Sequence, residues 1–245
     1  MILLENLHYR YESDTPDVLQ GIDLVIEDGT HTALIGPNGC GKTTLIKQMN
    51  ALLFPTAGSV SVDGMATTDS AGLREIRRRV GMVFQNPDSQ IIGMTVEEDV
   101  AFGPGNLGLP SAEIRRRVGD CLERVGMAGF EARAPHTLSG GEKRLLSLAG
   151  VLAMDPRYIA FDEPTAYLDP AAKQRVLELI RELHRGGMGI IHIAHDMRDV
   201  SGADRVVVMD QGKILLAGTP PEIFARTELL ASVGLDIPPG VGRGC

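Results

Sequence analysis

Apolar residues along this chain come in short bursts separated by polar turns, and their spacing predicts an α/β protein. Residues 2–11 and 18–26 alternate or run continuously apolar around the turn Ser13-Asp14-Thr15-Pro16-Asp17, which predicts two strands. Residues 31–35, HTALI, predict a short buried strand. From Lys42 to Leu53 the apolar spacing becomes helical, and Pro55 ends it. A strand is predicted at 58–64 between glycines, a helix at 72–79 and a strand at 80–84. From about 88 to 155 strand signals give way to helices at 95–102, 111–126 and 140–154. Gly103, Pro104, Gly105 and Gly108 predict a break after the first of them. This stretch is expected to be a helical subdomain inserted into a single domain spanning 1–236. Beyond it, a strand at 157–161, a helix at 170–185 and a strand at 188–194 alternate, as a parallel sheet covered by helices requires. Strands at 205–209 and 213–217 flank the turn Asp210-Gln211-Gly212. The Gly- and Pro-rich tail 237–245 is expected to be flexible.

Composition narrows the possibilities. The chain has 245 residues and a formal net charge of -8, so it gains no long-range attraction to a nucleic-acid backbone. Trp is absent and aromatic residues make up 4%, which disfavours a platform for stacking bases. The three cysteines, Cys40, Cys121 and Cys245, are far apart and suggest neither a disulfide framework nor a zinc site. No apolar run reaches the roughly 18 residues that span a bilayer, so any membrane component is expected to come from another chain.

Three motifs carry chemistry. Gly36-Pro37-Asn38-Gly39-Cys40-Gly41-Lys42-Thr43 fits the phosphate-loop pattern, with an apolar strand before it and a helix after it. Glycines let successive backbone N–H groups face phosphate oxygens, and the helix N-terminus adds partial positive charge. Lys42 suits the β- and γ-phosphates, and the Thr43 hydroxyl suits Mg²⁺. Cys40, inside this loop, is expected to be accessible and not catalytic. Tyr158-Ile159-Ala160-Phe161-Asp162-Glu163 is an apolar strand ending in two carboxylates. After a phosphate loop this suggests a metal-binding Asp followed by a base, the alternative being a capping turn. Leu138-Ser139-Gly140-Gly141-Glu142 opens a helix. An ordinary cap by Ser139 is the plainer reading, but two adjacent glycines weaken the helix start and make sense if a phosphate must approach the backbone.

The succession GPNGCGKTT, Gln85, LSGGE, YIAFDEP, Leu168-Asp169 and His195 resembles the ATP-binding cassette family over essentially the whole chain. Glu142 stands where the family's signature usually has Gln, and Tyr167 where a small residue is common. The resemblance implies a phosphate-loop α/β core with an N-terminal antiparallel β layer and an inserted helical subdomain. It implies hydrolysis of Mg²⁺-ATP between two such subunits, identical or paralogous. Carried over by position, Tyr11 would stack on adenine. Gly36, Pro37, Asn38, Gly39, Cys40, Gly41, Lys42, Thr43 and Thr44 would cradle the phosphates. Thr43, Gln85 and Asp162 would serve Mg²⁺, and Glu163 would be the general base. His195 would contact the γ-phosphate, and Asp169 would signal across the dimer. Ser139, Gly140, Gly141 and Glu142 would complete the opposite subunit's site.

The segments 86–90, 94–110 and 218–238 look like the ATPase subunits of energy-coupling factor and cobalt/nickel importers. That resemblance implies a peripheral location on the cytoplasmic face of the cell membrane. It also implies an integral membrane subunit docked at about residues 85–108, and an indirect link to a substrate-binding membrane subunit. The competing expectation is a cassette ATPase acting on nucleic acid or the ribosome. Against it stand the absence of a heptad run between loop and signature and the presence of one cassette in the chain. A catalytically weak regulatory subunit is disfavoured by intact Lys42, Asp162, Glu163 and His195. Two further features have plainer readings. His192 and His195 form H-x-x-H, but spacing of three on a strand sends side chains to opposite faces. Arg115-Arg116-Arg117 lies on a helix whose apolar face is Ile114 and Val118, which predicts a solvated basic face.

Overall fold

The computed structural model describes residues 1–194 and 196–235; His195 and residues 236–245, including the tail expected to be flexible, lie outside the described residues. In chain order the elements are β1 (Ile2–Tyr9), β2 (Leu19–Ile26), β3 (His31–Ile35), α1 (Lys42–Met49), β4 (Ala57–Val62), β5 (Met65–Ala66), α2 (Leu73–Arg79) and β6 (Val80–Val83). Then come α3 (Val96–Asn106), α4 (Ser111–Val125), α5 (Gly140–Leu152), β7 (Tyr158–Asp162), α6 (Pro170–Arg185), β8 (Gly189–Ile193), β9 (Arg205–Asp210), β10 (Lys213–Gly218), α7 (Pro220–Phe224) and α8 (Thr227–Ser232). The short β5 and the helices α7 and α8 have no counterpart among the predicted elements.

The strands form two sheets. One is antiparallel in the order β2-β1-β4-β5; the other runs β10-β9-β3-β8-β7-β6, parallel except for the β9–β10 pair. Strands β3, β6, β7 and β8 are buried at every position, as strands covered on both faces must be. Apolar residues of the antiparallel layer, Leu4, Leu7, Ile22 and Val60, pack with Leu45, Ile46 and Met49 of α1 and one face of the main sheet. Leu146, Ala149 and Leu179 pack on Ile159 and Phe161 from the other face. A third core joins Ala33 and Val208 to Ile223, Phe224 and Leu230 of the terminal helices.

Helix α4 buries Val118, Leu122 and Val125 at helical spacing. On its outer side, Arg116 pairs with Glu113 and Asp120, and Arg117 pairs with Glu113. Arg116 and Arg117 therefore form ion pairs within their own helix.

Two helix ends lie four residues from expectation. Helix α1 stops at Met49, because Asn50 caps it and donates its side-chain amide to the Val80 carbonyl. Helix α3 continues through Gly103, Pro104 and Gly105 to Asn106, so these residues do not break it. Packing overrides propensity there. A Cβ on Gly103 would lie 2.6 Å from Met154 Cγ, and Pro104 is buried. The break falls at Gly108, whose φ of +75° ends the turn.

Strand β8 carries His192 into the core, where it stacks on His31 of β3 at 5.8 Å; His31 in turn meets His184 of α6 at 5.7 Å. Neither ring nitrogen of His192 has a hydrogen-bond partner among the described residues. Burial holds His31 down to about 4, with the neighbouring His184 adding to the effect and Asp204 opposing it, and holds His192 down to about 3. Both groups bind fewer protons folded than unfolded, so stability is full above about pH 6.5 and falls as pH drops toward 4. Each histidine contributes about 1.4 kcal/mol per pH unit across that window. Urea melts between pH 7.5 and 4.5 should show the fall, and His192→Phe should reduce its slope by about half. An unchanged slope in the variant would remove His192 from the account.

Candidate nucleotide site

The phosphate loop begins where β3 ends and closes into α1. Gly36 has a φ of +153°, and a Cβ there would sit 2.2 Å from the Met209 carbonyl oxygen and 2.8 Å from Cys40 Sγ, so only glycine fits. Gly41, at φ +106°, caps α1, and a Cβ there would lie 2.9 Å from Leu19 Cδ2 and 3.1 Å from the Val18 carbonyl oxygen. The loop is tied to its neighbours through the backbone: Gly212 N–H donates to Cys40 O (3.1 Å) and Gln20 N–H to Gly212 O (2.9 Å). Asn38 and Gly39 at its crest are exposed, whereas Lys42 and Thr44 are buried.

Lys42 Nζ donates to the carbonyls of Gly36 (2.7 Å) and Pro37 (2.9 Å). The Thr43 hydroxyl donates to Asp162 Oδ1 (2.8 Å), joining the start of α1 to the end of β7. Burial, joined by the adjacent Glu163 carboxylate, raises the Asp162 pKa against the opposing hydrogen bond from Thr43. Glu163 holds a positive φ of +50°, uncommon for a side chain with a Cβ. Gln85 Nε2 donates to Glu163 Oε2 (2.7 Å). Residues from the ends of β3, β6 and β7 thus converge on one edge of the sheet, where the described cavities include a cleft of about 320 Å³ bounded by Tyr11, Lys42, Thr43 and Glu163. Tyr11 is 58% exposed, and its hydroxyl lies 3.0 Å from Thr44 Oγ1. A second cleft on the same edge is bounded by Asn38, Gln85, Glu163 and Tyr167. Tyr167 has a φ of +62° and is 96% exposed.

The expectation that Cys40 is accessible is overturned. Its side chain turns beneath the loop and is 4% exposed, with Sγ 3.9 Å from Lys42 Nζ. Sequence position placed it on a loop, but the tight turn at Gly36 points the thiol inward. Burial raises its pKa, although Lys42 pulls the other way.

Ser139 and Gly140 are exposed at the start of α5, and neither cleft at the phosphate loop is bounded by residues 138–142. Ser139 N–H donates to Glu142 Oε2 (2.7 Å) and Glu142 N–H to Ser139 Oγ (3.3 Å), a reciprocal cap. Asp169 caps α6, accepting from the N–H groups of Ala171 (2.9 Å) and Ala172 (3.0 Å). Sequence reasoning missed Arg144, a buried cation on α5 whose guanidinium donates to the carbonyls of Phe84 and Gln85. An Arg on the apolar stripe of a helix was the available signal.

This fold and edge define a phosphate-loop nucleoside triphosphatase. The ABC transporter family matches residues 19–166. The chain is 57% identical to the cobalt import ATP-binding protein CbiO of Syntrophus aciditrophicus, over 97% of this chain and 85% of that protein. It is 49% identical to the energy-coupling factor transporter ATP-binding protein EcfA1 of Symbiobacterium thermophilum, over 98% and 86%. Among solved structures it resembles cbiO1 of Clostridium perfringens, described as part of the ABC transporter complex cbiONQ, with a TM-score of 0.84, 38% identity and coverage of 97% and 95%. The chain belongs to the ABC transporter family and is an ATP-binding, ATP-hydrolysing subunit of it. Among the described residues no helix is long and apolar enough to cross a membrane.

The thiol geometry yields a direct test. Maleimide should label Cys40 of the native protein at least about tenfold more slowly than that of the urea-unfolded chain, with or without ATP. Peptide mapping after timed quenching decides it, and rapid native labelling blocked by ATP would show the thiol facing the ligand.

Proposed function

We propose that this chain powers an importer of the energy-coupling factor type, hydrolysing Mg²⁺-ATP on the cytoplasmic face of a membrane whose spanning subunits are other chains. The observation that carries the hydrolytic reading is the convergence of Thr43 on Asp162 and of Gln85 on Glu163 beside the phosphate loop. Backbone N–H groups of 38–44 and the Lys42 ammonium bind the phosphates, and Tyr11 offers its open ring to adenine. The hydroxyl of Thr43 and the carboxylate of Asp162 are hard oxygen donors in contact, and the buried carboxylate favours a cation, so the pair suits Mg²⁺. Gln85 is the further candidate donor. Bound there, the ion would offset charge on the phosphate oxygens. Glu163 takes the proton of the attacking water, and Gln85 orients that carboxylate and the water. His195 is assigned to the γ-phosphate by motif position.

Residues 138–142 bound neither cleft at the phosphate loop, so the reading places Ser139, Gly140, Gly141 and Glu142 on the nucleotide of a second ATPase subunit. That subunit is a second copy or a paralogue, and Asp169 and Tyr167 lie at the shared seam. Two-fold symmetry then gives two composite sites.

Glu163→Gln should keep ATP binding, reduce turnover by about 10²–10⁴-fold and accumulate a closed dimer with ATP. Gel filtration with and without ATP, alongside phosphate release, measures both. Near-normal turnover would reassign the base.

The membrane subunit is placed on a groove of about 650 Å³ between α2, α3 and α5, lined by Leu73, Ile92, Phe102, Leu107 and Met154. It is larger than the cleft at the phosphate loop because phosphates need exposed N–H groups, whereas an apolar helix needs a trough. Ile92 is 57% exposed on this groove; Met94, 80% exposed, lies outside its lining. A substrate-binding membrane subunit is contacted only through this partner. Ile92→Glu should leave ATP binding by the isolated chain within about twofold of wild type while weakening capture of the membrane subunit at least about tenfold. Intact capture with a destabilised soluble chain would return Ile92 to the core.

A further inference from the structure

We infer that Arg144 is a positioning residue: it fixes the backbone of Gln85, and through it the Gln85–Glu163 contact, to the helix that begins with Ser139. The inference rests on the roles proposed above for Gln85 and Glu163.

Arg144 occupies a position where α5 otherwise buries Leu145, Leu146, Leu148 and Ala149, and it is only 3% exposed. A buried guanidinium is costly unless hydrogen bonds replace its water. Its Nη1 and Nη2 donate to the successive carbonyls of Phe84 and Gln85, and its Nε finds no partner among the described residues. Asp162 is the charge that counters the effect of burial on it. A leucine would fill the same space at lower cost, so the cation is retained against packing economy.

The grip on this segment is double. Phe84 N–H donates to Gln90 Oε1 (3.1 Å), and Gln90 Nε2 donates to Met82 O (3.1 Å) and, at 3.5 Å, to Ser147 O on α5. Lys143, also on α5, pairs with Asp88 (2.7 Å). The Gln85 side chain, by contrast, is exposed and has its one described hydrogen bond to Glu163. Its direction is therefore set by the backbone that Arg144 holds. Helix α5 is continuous from Gly140 past Arg144, so a displacement at Ser139–Gly141 is carried two turns or less to Arg144 and on to Gln85. A ligand of the second subunit touching the helix start thereby biases the orientation of the base's partner in this chain, and the coupling runs in both directions.

The test is a double-mutant cycle on the purified protein, measuring kcat, KM and ATP affinity by nucleotide fluorescence. Arg144→Met should lower kcat about tenfold or more, as misplacement of a water-orienting group does, with ATP affinity within about threefold. Arg144→Lys, which keeps the charge but lacks the planar two-nitrogen fork, should recover part of the loss. In a Gln85→Ala background, Arg144→Met should cost less than about twofold more, because the two residues act as one unit. Should Arg144→Met fail to fold, the same cycle is run with Arg144→Lys. A slow Gln85→Ala whose defect multiplies with that of the Arg144 variant overturns the positioning role and leaves the proposed base intact. Gln85→Ala with wild-type turnover removes the role of Gln85 and this inference together. Lost ATP affinity at unchanged kcat also overturns it.

Discussion

Parallel pairing of β6, β7, β8 and β3 is the constraint on which the rest depends. Parallel strands end at the same edge, so whatever follows each strand must meet there. The phosphate loop follows β3, Asp162 and Glu163 end and follow β7, and Gln85 follows β6. Register sharpens the meeting. Phe161 pairs with Val83 on one side and His192 on the other, so the carboxylates leave the sheet level with the residues after β6. The Thr43–Asp162 hydrogen bond then closes the site across β8. No loop has to be long to bring these groups together.

The same burial that gives the sheet its stability sets the electrostatics of its edge. Lys42, Asp162 and Arg144 are all buried charged groups, an expensive arrangement in an apolar protein interior. Each is met by a polar partner instead of solvent: carbonyls for Lys42 and Arg144, a hydroxyl for Asp162. For Lys42 and Asp162, under the roles proposed above, partners of this kind can be exchanged for phosphate or metal without breaking an ion pair. Elsewhere in the same sheet, His31 and His192 lack such compensation at several ring nitrogens and remain neutral at neutral pH. The contrast separates buried groups that keep a polar partner from groups that only fill space.

Much of this was legible in the sequence because local patterns carry it. The strand before Gly36, the helix after Lys42 and the carboxylates after an apolar strand each follow from neighbouring residues. The departures are those that only tertiary contacts decide. Gly103 and Pro104 have the local chemistry of a helix end, yet α3 runs on because Met154 occupies the space a side chain at 103 would need. Cys40 has the sequence position of a surface loop but the environment of the core. The role of Arg144 is equally nonlocal, because its partners, two backbone carbonyls near residue 85, leave no mark in the sequence. The register that brings Gln85 beside Glu163 is likewise nonlocal.

The departure at Glu142 has a local explanation of the same kind. Its carboxylate accepts the Ser139 N–H, a bond a glutamine carbonyl oxygen would also accept, so the cap itself does not distinguish the two residues. What differs is charge. Hydrogen bonds from Ser139, first from its backbone, lower the Glu142 pKa, so the group is ionised at neutral pH. A negative charge suits the helix N-terminus but opposes an approaching phosphate. The geometry moderates that conflict, since Oε2 is turned back onto its own chain at Ser139. Gly140 and Gly141 add no side chains of their own to the adjoining backbone. Glutamate therefore trades some anion affinity for a charge that suits the helix N-terminus, and in the proposed composite site the approach of a second subunit's nucleotide would depend on the helix dipole outweighing one carboxylate already engaged by backbone.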